Sequence, residues 1–323
     1  MGGKVSMLLI LLVFAFSTPA YGSFQAEWEA TAALSDPAAG DGLFWSTGLH
    51  LRGAWPLGER WVFSWRGGLS LNSLAGELDA TLARGYLQYE SGPLRLALGR
   101  QAVSWGVGWF FRPTDLITPR SPLSAEEGRP GKDLLTATCA TSPVTNVELT
   151  VGDALYGARA GWQIGRASLR TLGLVAPDGR KMVGLDLQGG LHGFYGEACY
   201  EWQTDPRDGA PAVMLGWRKL FGEGRLLYLE YLRDERGRFL PGRDYLAAGL
   251  ELPLDELTTY AVALEGSLGD GGYLLAGTAS LVLSDHLDLN GGVGLILGPE
   301  GTEFLTLARG SRVSLTVGTK YYF

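Results

Sequence analysis

Cysteine is nearly absent from this chain: Cys139 and Cys199 are the two thiols among 323 residues. Two cysteines build neither a disulfide framework nor a cysteine-ligated zinc site, and no haem-attachment signature occurs. Histidine is almost as scarce, with His50, His192 and His286. Ser46 and His50 share a strand face, but four residues separate them by about 13 Å, too far for a hydrogen-bonded nucleophile and base. No G-x-S-x-G, H-E-x-x-H or phosphate-loop motif is present. Gly106-Val107-Gly108 lacks the rest of a dinucleotide fingerprint and reads as a loop bend. The sequence therefore predicts no catalytic residues, no cofactor and no metal. Basic runs are missing too. With 27 Lys and Arg against 34 Asp and Glu, the net charge is −7, which speaks against a nucleic-acid partner. Beyond residue 22 no apolar run reaches 18 residues, so no helical membrane span is expected.

What the chain has is apolar residues and glycine. Hydrophobic residues make up 46% and charged residues 19%, and mean hydropathy is +0.07. The 48 glycines amount to about 15%, twice the usual share, without a collagen period. Such a composition is too apolar for disorder. At the N-terminus, Lys4 precedes an apolar run from Met7 to Phe16, followed by Pro19 and Ala20-Tyr21-Gly22. A basic start, a short apolar core and a small-residue exit predict a secretory signal peptide over 1–22. Residues 23–323 then form one domain outside the cytoplasm.

The remainder alternates with period two. Val313, Leu315, Val317, Thr319, Tyr321 and Phe323 share one strand face, while Arg312, Ser314, Thr316, Gly318, Lys320 and Tyr322 share the other. In a soluble sandwich or propeller the apolar face would form the core. Two features favour the inverse, with apolar side chains toward lipid. The segments run about 9–13 residues, the length a tilted transmembrane strand needs. Trp and Tyr also gather at segment ends (Trp45, Trp55, Trp61, Trp65, Tyr321), where an amphipathic ring meets the lipid–water boundary. The pattern predicts a closed antiparallel transmembrane β-barrel, all-β, with eighteen strands from 24–35 to 311–323. Merging the pair divided at 152–154, and one other pair, would give sixteen. Both termini fall on the periplasmic side, with short inner turns and longer outer connections.

The third outer connection, about Ser104 to Lys132, exceeds the rest. Loops of that length are functional or disordered, and Trp105, Trp109, Phe110, Phe111 and several prolines suit a packed one. The run Leu98-Gly99-Arg100-Gln101-Ala102-Val103-Ser104-Trp105-Gly106, followed by Pro113-Thr114-Asp115 and Glu127-Gly128-Arg129-Pro130-Gly131-Lys132-Asp133, resembles a family of porin-like outer-membrane barrels. In these a strand ending in G-R-Q and W-G leads into a P-T-D loop. It is more distantly similar to alginate-export barrels, which are also eighteen-stranded. The terminal Tyr321-Tyr322-Phe323 looks like the signal that the barrel assembly machinery reads through Phe323. The resemblance implies a barrel and a pore without a defined substrate.

Alternation points Arg52, Arg66, Arg84 and Arg95 inward on neighbouring strands, with Arg159 and Arg170 extending the basic side. Glu197, Glu201, Glu230 and Glu251 point inward opposite, extended by Asp186, Glu265 and Asp288. The expectation is a transverse field across a water-filled lumen, which favours dipolar solutes over apolar ones; the alternative is that the lumen charges fill the barrel as salt-bridged pairs with no open path. Loop 104–132 folds inward and constricts the pore, its selectivity tuned by Arg100, Gln101, Trp105, Arg112, Asp115, Arg120, Glu126, Glu127, Arg129 and Lys132. Strict alternation places Arg100 on the lipid face. A bulge at Gly99, the preferred reading, turns it inward to pair with a loop carboxylate such as Asp115. Cys139 and Cys199 lie on strands that are not neighbours and read as small side chains. The expected function is a passive outer-membrane channel for small polar or charged solutes, in contact with lipid and lipopolysaccharide, with homo-oligomerisation left open. The alternative is a closed docking or structural barrel that scaffolds a surface polymer or partner protein. A secreted soluble β protein is the third reading.

Overall fold

The computed structural model describes residues 23–35, 43–72, 78–118, 131–189, 193–222, 224–237, 243–308 and 312–322. The expected signal peptide, Arg120, Glu126, Glu127, Arg129, His192 and Phe323 lie outside the described residues. Nine strands form the first half: β1 (Ser23–Ser35), β2 (Leu43–Pro56), β3 (Trp61–Asn72), β4 (Leu78–Ser91), β5 (Leu94–Gln101), β6 (Lys132–Ser142), β7 (Thr145–Gly152), β8 (Leu155–Ile164) and β9 (Ala167–Val175). Nine more follow: β10 (Lys181–Gln188), β11 (Phe194–Trp202), β12 (Ala210–Phe221), β13 (Arg225–Asp234), β14 (Asp244–Pro253), β15 (Thr258–Ser267), β16 (Tyr273–Ser284), β17 (Leu287–Leu297) and β18 (Val313–Tyr322). Each pairs antiparallel with the next, and β1 closes on β18 from Glu27↔Tyr322 to Ser35↔Ser314. The sheet is a closed barrel of 18 strands. The sixteen-strand alternative is thereby excluded. β7 and β8 are separate strands paired down to Gly152↔Leu155, across a tight turn in which Ala154 takes φ 51°.

The faces divide as a membrane barrel requires. Leu315, Val317 and Tyr321 are 48%, 50% and 38% exposed, on the outside, and Trp28, Trp45 and Trp61 are exposed with them. A soluble core would have covered these residues, so the sandwich is excluded. Connections at the end that carries the termini are short, as at 92–93, 143–144 and 285–286. Those at the other end include 102–131, 235–243 and 298–312.

The inside departs from a uniformly polar lumen. Tyr195, Met214, Leu232, Tyr245 and Ile296 point inward from β11, β12, β13, β14 and β17. They form an apolar cluster with Phe111, Phe304 and Leu305 from two loops. A second inner cluster joins Trp105 and Ile117 to Leu134, Leu155, Leu174 and Met182. The barrel therefore holds apolar cores between wall and loops, which period-two reading of the wall alone does not show.

Candidate functional site

Residues 102–118 leave the end of β5 and turn into the barrel. Gln101 anchors the departure: its amide donates to the carbonyls of Ala97 and Leu134 at 3.1 and 3.0 Å and accepts from Thr136. The loop then closes on itself. Asp115 accepts from the Ser104 hydroxyl at 2.7 Å and from the Trp105 N–H at 3.4 Å, and Thr118 donates to the Val103 carbonyl at 2.6 Å. Arg112 bonds the Gly108 carbonyl and the Ser104 hydroxyl. Gly106 adopts φ +113°, and a β-carbon there would meet the Glu197 carboxylate at 2.8 Å, so the bend needs glycine twice over.

Two wall carboxylates grip this loop by its main chain. Glu197, in the middle of β11, accepts from the N–H groups of Val107, Gly108 and Thr114 and from the Thr114 hydroxyl. Glu230, in the middle of β13, accepts from the N–H groups of Trp109, Phe110 and Phe111 and from the Tyr195 hydroxyl. Both acids are 2% exposed. They were expected to line open lumen; they lie beneath the loop instead, because consecutive N–H groups in a bend form an anion-binding concavity. The tip stacks Trp109 and Phe110 against Tyr228 at 5.0 and 5.3 Å.

Side chains complete the docking. Trp105 is fully buried, donates to Glu148 at 2.6 Å and lies under the Arg159 guanidinium, which itself pairs with Glu148 at 2.8 Å. Arg236 bonds the Pro113 carbonyl at 3.1 Å and pairs with Asp234 at 2.8 Å and Glu201 at 3.5 Å. Cys199 donates to the same carbonyl, and both cysteines are free thiols. The short helix α1 (Glu303–Leu307) adds a second inward element. Phe304 and Leu305 pack in the cluster of Phe111, and the Tyr245 hydroxyl donates to Glu303 at 2.7 Å. Its first N–H bonds Asp270 in the turn after β15 at 2.7 Å.

The arginines on the opposite wall separate into two kinds. Arg52 pairs in register with Arg66, and Arg66 with Arg84, so three guanidinium side chains sit in one row on β2, β3 and β4. With Ser64 and Tyr86 they line a hollow of about 270 Å³. Neither Arg52 nor Arg84 has a carboxylate at ion-pair distance among the described residues. Arg95, Arg159 and Arg170 are neutralised by Glu90 at 2.6 Å, Glu148 at 2.8 Å and Asp186 at 2.6 Å. Asp288 accepts from Tyr322 at 2.9 Å, while Glu251 and Glu265 face inward from β14 and β15. Arg100 does not reach Asp115. β5 pairs with β4 and β6 without a shift, so there is no bulge, and Arg100 forms an outer-face pair with Asp133 at 3.0 Å. Gly99 absorbs a φ of +124° without changing the alternation.

Glu148, Tyr195, Asp234 and Arg236 had not been singled out from the sequence. Glu148 keeps the inward parity of its strand and could have been found by alternation. Arg236 lies in a loop with no periodic signal. Among the described residues no group of three or more His, Cys, Asp and Glu is placed to hold a metal ion.

No family model and no curated protein matches the chain by sequence. Solved structures match by fold. OpdQ of Pseudomonas aeruginosa superposes with a TM-score of 0.68 at 9% identity, over 94% of this chain and 99% of that one. OccK5 (OpdH) of the same organism gives 0.65 at 6%, over 94% and 98%. The fold is that of an outer-membrane porin-like barrel. A mutant of the Rhodopseudomonas blastica porin reaches 0.53 at 10% identity, over 94% and 100%. Wzi, a carbohydrate-binding outer-membrane barrel involved in group 1 capsule assembly in Escherichia coli, reaches 0.61 at 11%, over 100% and 89%.

Proposed function

We propose that the protein is a passive outer-membrane channel for small polar or charged solutes, with loop 102–118 as its constriction and the row Arg52, Arg66 and Arg84 beside the remaining path. The termini face the periplasm and the longer connections face outward, as the turn asymmetry suggests. The supporting observation is the lopsided filling of the barrel. The loop lies against β11 and β13, which bear Glu197 and Glu230, diametrically across the strand order from β2, β3 and β4. A constriction held this way covers Glu197 and Glu230 and leaves Arg52 and Arg84, which have no carboxylate at ion-pair distance among the described residues, toward the path. Like charges directly opposite on neighbouring strands repel, and a passing anion relieves that repulsion. The reading therefore includes a preference for anions, sharper than a balanced transverse field would give.

The test is the reversal potential of the pure protein in a planar bilayer under a KCl gradient. Anion preference is expected, and Arg52→Gln, Arg66→Gln and Arg84→Gln should each reduce it. Conductance that is cation-selective, or indifferent to all three substitutions, would refute the reading. The two apolar clusters inside the barrel favour the alternative of a closed docking barrel, in line with the carbohydrate-binding Wzi among the structural neighbours. That reading predicts no current from wild type and none after the loop is released.

A further inference from the structure

The outer wall from β7 to β10 carries a hollow of about 540 Å³. Its floor is Ala158 on β8 and Gly173 on β9, which face each other across the strand pair. Leu149 and Val183 rise on either side in the same row, and both are among the exposed large hydrophobics of the outer surface. One row nearer the long-loop end stand Val151, Tyr156, Val175, Lys181 and Trp202, also cross-strand partners in sequence. One row nearer the short-turn end, Ala160 faces Thr171 between Val147 and Leu185. The small residues thus make a furrow along β8 and β9, two rows or about 13 Å long, with apolar banks.

The glycine in the floor is not demanded by the backbone. Gly173 has no positive φ, and a β-carbon built on it would meet nothing nearer than the Met182 carbonyl at 4.0 Å. Gly157, whose Cα faces the lumen, differs: a β-carbon there would strike the Trp105 ring at 2.5 Å. What the missing side chain at 173 provides is empty space on the lipid side. At the upper end of that space Lys181, the first residue of β10, has no carboxylate at ion-pair distance among the described residues. Trp202 stands beside it and Tyr156 lies in the same row beyond Val175, both of the residue types that mark the headgroup level of a bilayer. A lysine stem lies along apolar wall while its ammonium reaches the polar layer.

We propose that this furrow holds one acyl chain of a lipid with a net negative, phosphate-bearing headgroup, and that Lys181 binds that headgroup. Length, narrowness and the lack of charged groups along the furrow suit a hydrocarbon chain. The single cation at its mouth supplies complementarity for a phosphate at headgroup depth. The site rests on the membrane-barrel fold and is independent of whether the pore conducts.

The experiment is native mass spectrometry of the full mature barrel in detergent, titrated with dioleoyl phosphatidylglycerol and, separately, with dioleoyl phosphatidylcholine. One phosphatidylglycerol should be retained in preference to phosphatidylcholine. Lys181→Gln should lower phosphatidylglycerol occupancy by about fivefold and leave phosphatidylcholine unchanged. Gly173→Leu should remove the preferentially bound lipid, and Ala158→Leu fills the same space from β8 should the first variant fail to fold. Equal retention by wild type and both filled variants would overturn the proposal. So would a two-chain species that the filled variants abolish, since a second copy of the chain would then be the occupant.

Discussion

At the scale of single residues, Glu197 and Glu230 show how an acid on the inner wall of a barrel can be structural. Between them they accept from six main-chain N–H groups and two hydroxyls. Stripping the acceptor from such donors costs about 1–3 kcal/mol for each group left unpaired. Glu197→Ala and Glu230→Ala should therefore leave the barrel folded and free the loop. Amide exchange at 107–111 is expected to rise by roughly 100-fold, the equivalent of about 3 kcal/mol, while strand amides stay protected. If the channel reading is correct, the same variants conduct better than wild type in a planar bilayer. Unchanged exchange at these amides would show that the apolar contacts of Trp105 and Phe111 suffice to hold the loop.

At the scale of elements, α1 is too short to persist alone, so its order depends on Phe304 and on Asp270. Phe304→Ala should cost about 3–5 kcal/mol of local stability by opening a cavity beside Phe111, detectable as lost protection at 303–307. Burial works against the charge of Asp270, but N–H donors from Glu303 and Gly272 outweigh it and hold the carboxyl below its ordinary range. A depressed folded value means the contribution is complete above the ordinary aspartate range, near pH 4, and fades as pH falls through the lowered value. Asp270→Asn should show at pH 7 the loosened α1 that wild type reaches only in stronger acid. Protection at 303–307 unaltered by the substitution would remove Asp270 from this role.

The elements were also where the sequence was easiest to read. Alternation located β18 and the other strands because a wall between lipid and lumen enforces period two at every row. It failed at α1, at Arg236 and in the apolar clusters, which arise when distant loops meet the wall. Arg100 is instructive in the opposite sense. Plain alternation had it outward beside Leu98, and a bulge at Gly99 was invoked to bring it in. The glycine takes its unusual φ while pairing continues unshifted.

At the scale of the whole molecule, the channel reading makes the barrel electrostatically one-sided, with Arg52 and Arg84 toward the path and Glu197 and Glu230 enclosed opposite. Fields of this kind are screened over about 10 Å at 0.1 M salt and about 3 Å at 1 M. Anion preference measured from the reversal potential should accordingly decline as the salt on both sides is raised from 0.1 to 1 M. A selectivity that persists undiminished in strong electrolyte would point to steric sieving in its place. The manner in which the loop is fastened has one more consequence. Because the wall clasps peptide groups at 107–111, and peptide groups are common to every amino acid, the exposed Trp109 side chain can be exchanged without breaking those bonds, whereas Gly108, where a β-carbon would strike the Phe111 carbonyl, and buried Phe111 cannot. On the channel reading, such a frame can alter its taste in solute at the tip of the loop while its clasp stays as it is.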